Sequence, residues 1–230
     1  MKNAKKYYEL DKSSQELKIY AERTMLEKLK NNKFNSILEI GCGDGHFLEN
    51  FNNKEVLGID LDLGMISQAQ TDIRNNLLFA DILDKKFVKK QKNYFDIVSS
   101  NYVFMEMKEK QVQKAFRNIF EILKPKGEFY FIITNPKTRE KKFPGYKLVF
   151  SDDFDYNKKD LEFKVLLQTK EGNYVDVGIR DYHMPLENYD RLLGKSGFNK
   201  IEKTEIKKNL PHSFAVLYSC EKGLVQNLPL

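Results

Sequence analysis

The sequence predicts an α/β fold built on a doubly wound parallel sheet, and two observations carry that prediction. Short apolar runs of strand length alternate with amphipathic helical patterns, which implies right-handed βαβ crossovers and a sheet covered on both faces. The first such run, in Ile37 to Leu48 (ILEIGCGDGHFL), turns through glycines at 41, 43 and 45 directly into a helical pattern. Glycines allow positive φ and let a ligand approach the backbone closely, and the free N–H groups at the start of a helix would face the bound molecule.

Taken in order, Leu17, Tyr20, Ala21, Met25 and Leu29 fall at helical spacing and predict an amphipathic helix over Ser13 to Lys30. Strands follow at Ser36 to Ile40, Glu55 to Ile59, Leu77 to Ala80 and Phe95 to Ser99, with helices at Phe47 to Phe51 and Leu63 to Ile73. The clearest helix carries the stripe Val112, Ala115, Phe116, Ile119, Phe120 and Leu123, and Lys124-Pro125-Lys126-Gly127 stops it. Phe129 to Thr134 is a fifth, fully buried strand. Between Asn135 and Arg180 the rhythm breaks: Leu161, Phe163, Val165 and Leu167, then Val175, Val177 and Ile179, alternate about Gly172-Asn173, which predicts an inserted antiparallel hairpin serving as a lid or substrate wall. Pro185 to Lys195 is a helix ended by Gly197, and Phe198 to Ile206 and His212 to Ser219 are closing strands placed to pair antiparallel. The whole reads as one domain over 1–230: a helical cap at 1–32, a ligand-binding core at 33–135, the inserted lid at 136–187 and a helix with a strand pair at 188–230.

Composition narrows the partners. Charged residues are 31% and hydrophobic residues 41%, ordinary for a soluble protein, and the longest wholly apolar run, Phe129 to Ile133, is too short to span a bilayer. The first residues are basic with no apolar segment behind them, so no secretory signal is expected and the placement is cytoplasmic. Cys42 and Cys220 are the two cysteines and neither has ligands at zinc spacing, so neither a structural metal nor a disulfide is expected. The net charge of +6 comes from lysines scattered along the chain without a basic stripe interleaved with aromatics, a solvated exterior rather than a nucleic-acid surface. The oligomeric state is not legible.

Three features gather where a doubly wound sheet binds ligands, outside the C-terminal ends of its strands. The glycine loop is the first. Asp60, about twenty residues further on at the end of a strand, can accept hydrogen bonds from both ribose hydroxyls of a nucleoside. Asp81, after the strand LLFA, can accept from an adenine amino group, with Ile82 packing on the ring. The bland alternative is that strand-end aspartates are helix N-caps. Occurring together behind a glycine loop, they describe an adenosine pocket. The dinucleotide fingerprint GxGxxG is not met, because the third glycine comes one residue early and His46 stands where the fingerprint wants glycine.

The GxGxG loop with Glu39 two residues before it resembles the class I S-adenosylmethionine-dependent methyltransferases. The resemblance extends through YFDIVSSNYVFMEM from Tyr94, ILKPKGEFYFII from Ile122 and NYDRLLGKSGF from Asn188, in the family's order. It implies a Rossmann-like seven-stranded sheet of order 3-2-1-4-5-7-6 with the last strand antiparallel, and S-adenosylmethionine as cofactor, released as S-adenosylhomocysteine. Carried over residue by residue, Glu39, Gly41, Cys42 and Gly43 would hold the methionine end, Asp60 the ribose, Leu61 and Met65 the adenine flank, and Asp81 and Ile82 the adenine edge. Asn101 and Tyr102 would lie near the reactive methyl, and Tyr8, beside Tyr7, would belong to an N-terminal aromatic segment closing over the cofactor.

The implied reaction is direct displacement on oxygen or nitrogen of a small-molecule acceptor, catalysed chiefly by positioning. His183 is the candidate general base, with Tyr102 and Glu106 as further catalytic candidates; a lone histidine in an insertion is more often a packing or surface residue. Ser100-Asn101-Tyr102-Val103 replaces the NPPY or DPPY segment of amino-group methylases acting on adenine or glutamine, which disfavours that activity. The alternatives are a protein or RNA methyltransferase, a cofactor-binding partner or regulatory protein without turnover, and a nicotinamide-dependent oxidoreductase.

Overall fold

A computed structural model describes residues 12–138, 143–169 and 171–223. The opening helix α1 spans Lys12–Lys30 and lays Leu17, Ala21, Met25 and Leu29 into the core, the face its sequence spacing defined. Strands β1 (Ser36–Ile40), β2 (Glu55–Asp60), β3 (Leu77–Phe79), β4 (Phe95–Asn101) and β5 (Leu123–Thr134) follow, then β9 (Phe198–Ile206) and β10 (Ala215–Lys222). They form one seven-stranded sheet of order β3-β2-β1-β4-β5-β10-β9. The first five are mutually parallel, and β10 pairs antiparallel with both β5 and β9. Central β1 is buried at all five positions, as a strand covered on both faces must be.

Helix α5 (Glu109–Ile122) buries Val112, Ala115, Phe116, Ile119 and Ile122 on one face of the sheet, and α6 (Leu186–Lys195) adds Tyr189, Leu192 and Leu193 to the same core. The opposite face is covered by α1 and by Phe47, Leu48 and Phe51.

Other crossovers are shorter than their patterns suggest. The expected helix after the glycine loop is a single 3₁₀ turn, Leu48–Phe51. The helix expected over Leu63 to Ile73 divides into α2 (Leu63–Ile66) and α3 (Thr71–Arg74): the Ser67 hydroxyl donates back to the Gly64 carbonyl at 2.7 Å, and the Arg74 guanidinium takes the Ser67 carbonyl, so the ladder ends there. A further helix, α4 (Lys85–Lys90), was not expected, since KKFVKK offers two apolar residues and no stripe. The expected hairpin is β7 (Leu161–Gln168) with β8 (Tyr174–His183), and it gains a third strand, β6 (Tyr146–Val149), as an edge. This three-stranded antiparallel sheet is separate from the main one.

Candidate active site

The glycine loop leaves the C-terminal end of β1, and Gly41, Gly43 and Gly45 all take positive φ, at 72°, 57° and 82°. Gly41 is also sterically required: a Cβ there would come within 2.1 Å of the Val103 side chain. The loop amides are engaged inside the protein. Gly41 and Cys42 donate to the Ile59 carbonyl, Gly43 donates to Asp60 Oδ2 at 2.8 Å, Gly45 donates to the Cys42 carbonyl, and the His46 amide reaches Asp44 Oδ1. With those amides engaged and only a four-residue 3₁₀ turn behind them, the loop lacks the helix N-terminus that cradles a pyrophosphate, contrary to the sequence expectation of free N–H groups.

The two aspartates are not helix caps. Asp62 caps α2, accepting from Gly64 and Met65, and Asp84 caps α4, accepting from Lys86. Asp60 is left to brace the loop, with Oδ2 on the Gly43 amide and Oδ1 on the Asp62 amide at 2.8 Å. Asp81 accepts from the Leu83 amide at 2.7 Å. Each carboxylate oxygen so engaged keeps a second lone pair for a ribose or adenine donor. Leu61 is 60% exposed beside Asp60, and the Met65 methyl group stands 3.4 Å from where a Gly43 Cβ would lie. Ile82 is a correction: its side chain is 2% exposed within the main core and its carbonyl accepts from Asn118 Nδ2, so the expected packing on a ring is not made by that side chain.

Beneath the loop lies a buried acid. Glu39, on β1, accepts from Asn101 Nδ2, at the end of β4, through Oε1 at 3.1 Å. Its Oε2 and the Asn101 Oδ1 are buried with no hydrogen-bond partner among the described residues. Burial first, and the Glu22 carboxylate second, push the Glu39 carboxyl up to about 8. An unpaired carboxyl oxygen and an unpaired amide oxygen on hydrogen-bonded residues suit a ligand donor, and an ammonium group such as that of a methionine moiety, which favours the ionised carboxylate, would supply it. Glu39, Asn101, the glycine loop, Asp60 and Asp81 thus fit S-adenosylmethionine from end to end. Cys42 is a buried thiol held up by burial and by the nearby Glu39 and Asp60, so it contributes its backbone and not a thiolate.

His46, which stands where the dinucleotide fingerprint wants glycine, is a clasp. Its Nδ1 lies 3.0 Å from Asp44 Oδ1 and its Nε2 lies 3.0 Å from Glu22 Oε2, tying the loop to α1. Hydrogen bonds from Asp44 and then Glu22 push the imidazole up to about 10, so it is an imidazolium at neutral pH. A sequence signal existed only in part: Asp44 and His46 are neighbours, but nothing local points to Glu22.

On the other side, Tyr102 leaves β4 with φ of 59°, a conformation few bulky residues adopt, and donates its N–H to the Ile132 carbonyl. The turn it begins has two functions, since Val103 abuts Gly41 while Met105 lines a narrow cleft between the end of β5 and the inserted sheet. His183 also lines that cleft, 2% exposed, its Nε2 2.7 Å from the Tyr156 carbonyl and its ring against those of Phe154 and Tyr156. The carbonyl can only accept, so Nε2 carries the proton and Nδ1 keeps a lone pair. Burial pulls the imidazole below its usual range, so it is neutral at pH 7. Glu106 is exposed at the turn's end and outside the cleft lining. The cap of α5 is made by the Gln111 side chain, which accepts from the Lys108 amide. Tyr7 and Tyr8 lie outside the described residues.

The sheet order with its reversed last strand and the glycine loop are those of the class I S-adenosylmethionine-dependent methyltransferase fold. More particularly, residues 37–127 match the family model described as a methyltransferase domain. The chain is 18% identical to an S-adenosylmethionine-dependent methyltransferase of Clostridium acetobutylicum, with a TM-score of 0.65 over 90% of this chain and 92% of that one. For a second such enzyme from Mesorhizobium loti the identity is also 18%, with a TM-score of 0.59 over 89% and 97%. At these identities the likeness is one of fold. Phosphoethanolamine N-methyltransferase 1 of Triticum aestivum is 27% identical over 131 residues, which are 54% of this chain and 26% of that protein. An uncharacterized protein of Haemophilus influenzae is 29% identical over 90 residues, 35% of each. The chain spans about a quarter to a third of the length of these curated relatives.

Proposed function

We propose that the protein transfers a methyl group from S-adenosylmethionine to oxygen or nitrogen of a small molecule seated in the cleft between β5 and the inserted sheet. The observation that carries this reading is the turn 102–105, which touches the glycine loop through Val103 and the cleft through Met105, so one short segment separates donor site from acceptor site. The cofactor supplies a sulfonium-activated methyl carbon; the chain's part is to hold and align. Glu39 and Asn101 hold the amino-acid end, Asp60 the ribose and Asp81 the adenine. His183 Nδ1 takes the proton of the acceptor's hydroxyl or amine, a role open to a neutral imidazole. Tyr102 shapes the passage between the two sites, and Glu106, exposed at the rim, has no part in proton transfer.

The absent pyrophosphate cradle supports this reading over a nicotinamide oxidoreductase. A test is S-adenosylhomocysteine formation by the purified protein across a panel of hydroxyl and amine acceptors. Turnover that disappears in Asp60→Ala supports it; cofactor binding with no product from any acceptor would favour a partner or regulatory protein instead. A His183→Gln variant with an unchanged pH profile would remove that residue from proton transfer.

A further inference from the structure

The cleft beside the 102–105 turn has a chemical character of its own. Its walls include Met105, Ile133, Phe150, Phe163, Tyr182 and Tyr189, and among the described residues no Lys, Arg, Asp or Glu lines it. Phe150 stacks on Phe163 at 4.6 Å between centroids and meets Phe154 edge-on at 4.5 Å, so the wall formed by the inserted sheet presents ring surfaces. The polar groups of the lining are largely engaged by the fold. Asn135 donates its side-chain amide to the Ser213 carbonyl and accepts from the Lys137 amide, and His183 uses Nε2 on the Tyr156 carbonyl.

The charges around the cleft oppose an anion. Asp181, one residue before Tyr182 on β8, is buried, and its negative field, after burial itself, raises the phenol of Tyr189. Lys108 is exposed, with its ammonium 5.3 Å from the centroid of the Tyr182 ring, and is not part of the lining. A phosphate or carboxylate entering here would lose its water and, among the described residues, find no cation in the lining to replace it. A flat apolar body would instead gain from removing its surface from water and from ring contacts with the wall.

We propose that the acceptor bound in this cleft has a flat, apolar body and carries no anionic group, its hydroxyl or amine directed to the His183 side. The proposal deepens the methyltransferase reading and rests on it. It also separates this chain from any acceptor class that needs a phosphate anchor, including phosphoethanolamine, the compound in the wheat relative's name.

The test uses the full chain saturated with S-adenosylhomocysteine, after calorimetry has fixed that affinity. 4-Methylbenzyl alcohol, 4-methylbenzoate and phosphoethanolamine are then titrated by ligand-observed NMR. The alcohol is expected to bind about tenfold or more tighter than the benzoate, which shares its ring and differs by charge, and phosphoethanolamine should not displace it. Leu148→Lys, at a half-buried cleft position on the edge strand β6, should narrow or reverse the preference by installing a cation. Phe163→Leu should weaken the alcohol by about fivefold, the loss expected for one ring face. Benzoate or phosphoethanolamine binding as well as the alcohol, or no binding of any of the three to the saturated protein, would overturn the proposal while leaving the methyltransferase reading standing. Failure of S-adenosylhomocysteine itself to bind would withdraw that reading, and this proposal with it.

Discussion

The glycine loop grows out of β1 and β2, strands that pair parallel and lie between neighbours on both sides, and its backbone is fixed by five amide hydrogen bonds within residues 41–46. The inserted sheet of β6, β7 and β8 has a small core of its own, centred on Leu167 and Val177, and exposes Val149 and Tyr174. Among its attachments to the main domain is the N-terminus of α5. Asp160 accepts from the Glu109 amide at 2.7 Å, and Lys159 pairs with the Glu109 carboxylate, which also takes Asn188 and Arg191. The side assigned to the cofactor is therefore preformed, with positive-φ glycines and unpaired buried polar atoms held on the central strands of the sheet. The side assigned to the acceptor rests on an element with only a small core of its own.

This contrast breaks most directly at Gly41. Gly41→Ala places a methyl group 2.1 Å from Val103 at a φ of 72° and should cost about 100-fold or more in S-adenosylhomocysteine affinity, with circular dichroism showing that the sheet persists. Asp60→Ala removes the acceptor for the Gly43 and Asp62 amides together with the ribose site, and about 10- to 100-fold weaker binding is expected from hydrogen bonds of this kind. Unchanged affinity in either variant would show that the loop is only a turn.

Proton linkage sharpens the contrast further. Glu39 keeps its proton up to about pH 8 in the free protein, whereas an ammonium group beside it favours the ionised form. Affinity for S-adenosylhomocysteine should therefore rise with pH between about 6 and 8, by up to about tenfold per unit, and level off above the Glu39 pKa. Calorimetry in buffers of different ionisation heat should register the released proton, and Glu39→Gln should abolish both effects. The same raised pKa means that Glu39's contribution to stability is complete below its unfolded value and lost as pH climbs through about 8.

The inserted sheet should respond separately. Val177→Ala, in its small core, should destabilise residues 146–183 locally by about 1–2 kcal/mol, read as faster amide exchange there, while S-adenosylhomocysteine affinity stays within about twofold. Loss of cofactor affinity in that variant would show the two sides to be one unit. The smallest effect is expected at the clasp. His46→Gln should lower Tm by about 2–4 °C and loosen α1 in amide exchange. Because its pKa is raised, the clasp is fully formed below the unfolded histidine value near 6.5 and is lost as pH rises through about 10, so the gap between variant and parent should close in alkali.

How much of this was legible in the sequence follows the same division. Buried strands and the α5 stripe announce themselves because a covered sheet demands continuous apolar runs, and the strand order followed from the resemblance. Elements whose stability comes from tertiary contact did not announce themselves: α4 has only Phe87 and Val88 to bury, and β6 alternates too briefly in YKLV to stand out. The strand-end acids were legible by position, but that Asp62 and Asp84 would serve as the caps, releasing Asp60 and Asp81, depends on side-chain geometry two and three residues away. The Glu22–His46 clasp joins residues twenty-four apart in the chain across two elements, and no periodicity encodes such a pair. Ile82 shows the opposite limit, since its position suggested a ligand contact while its apolar side chain went where burial stabilised it more.

Calorimetric titration of the purified chain with S-adenosylhomocysteine, with NAD as the matched control, reads the identity of the bound nucleotide directly. Saturable binding of the homocysteine nucleoside, with release of a proton at pH 7 and no heat from NAD, is the result expected from the orphaned Glu39 and Asn101 oxygens and the engaged loop amides. Binding of NAD, or of neither, would contradict it.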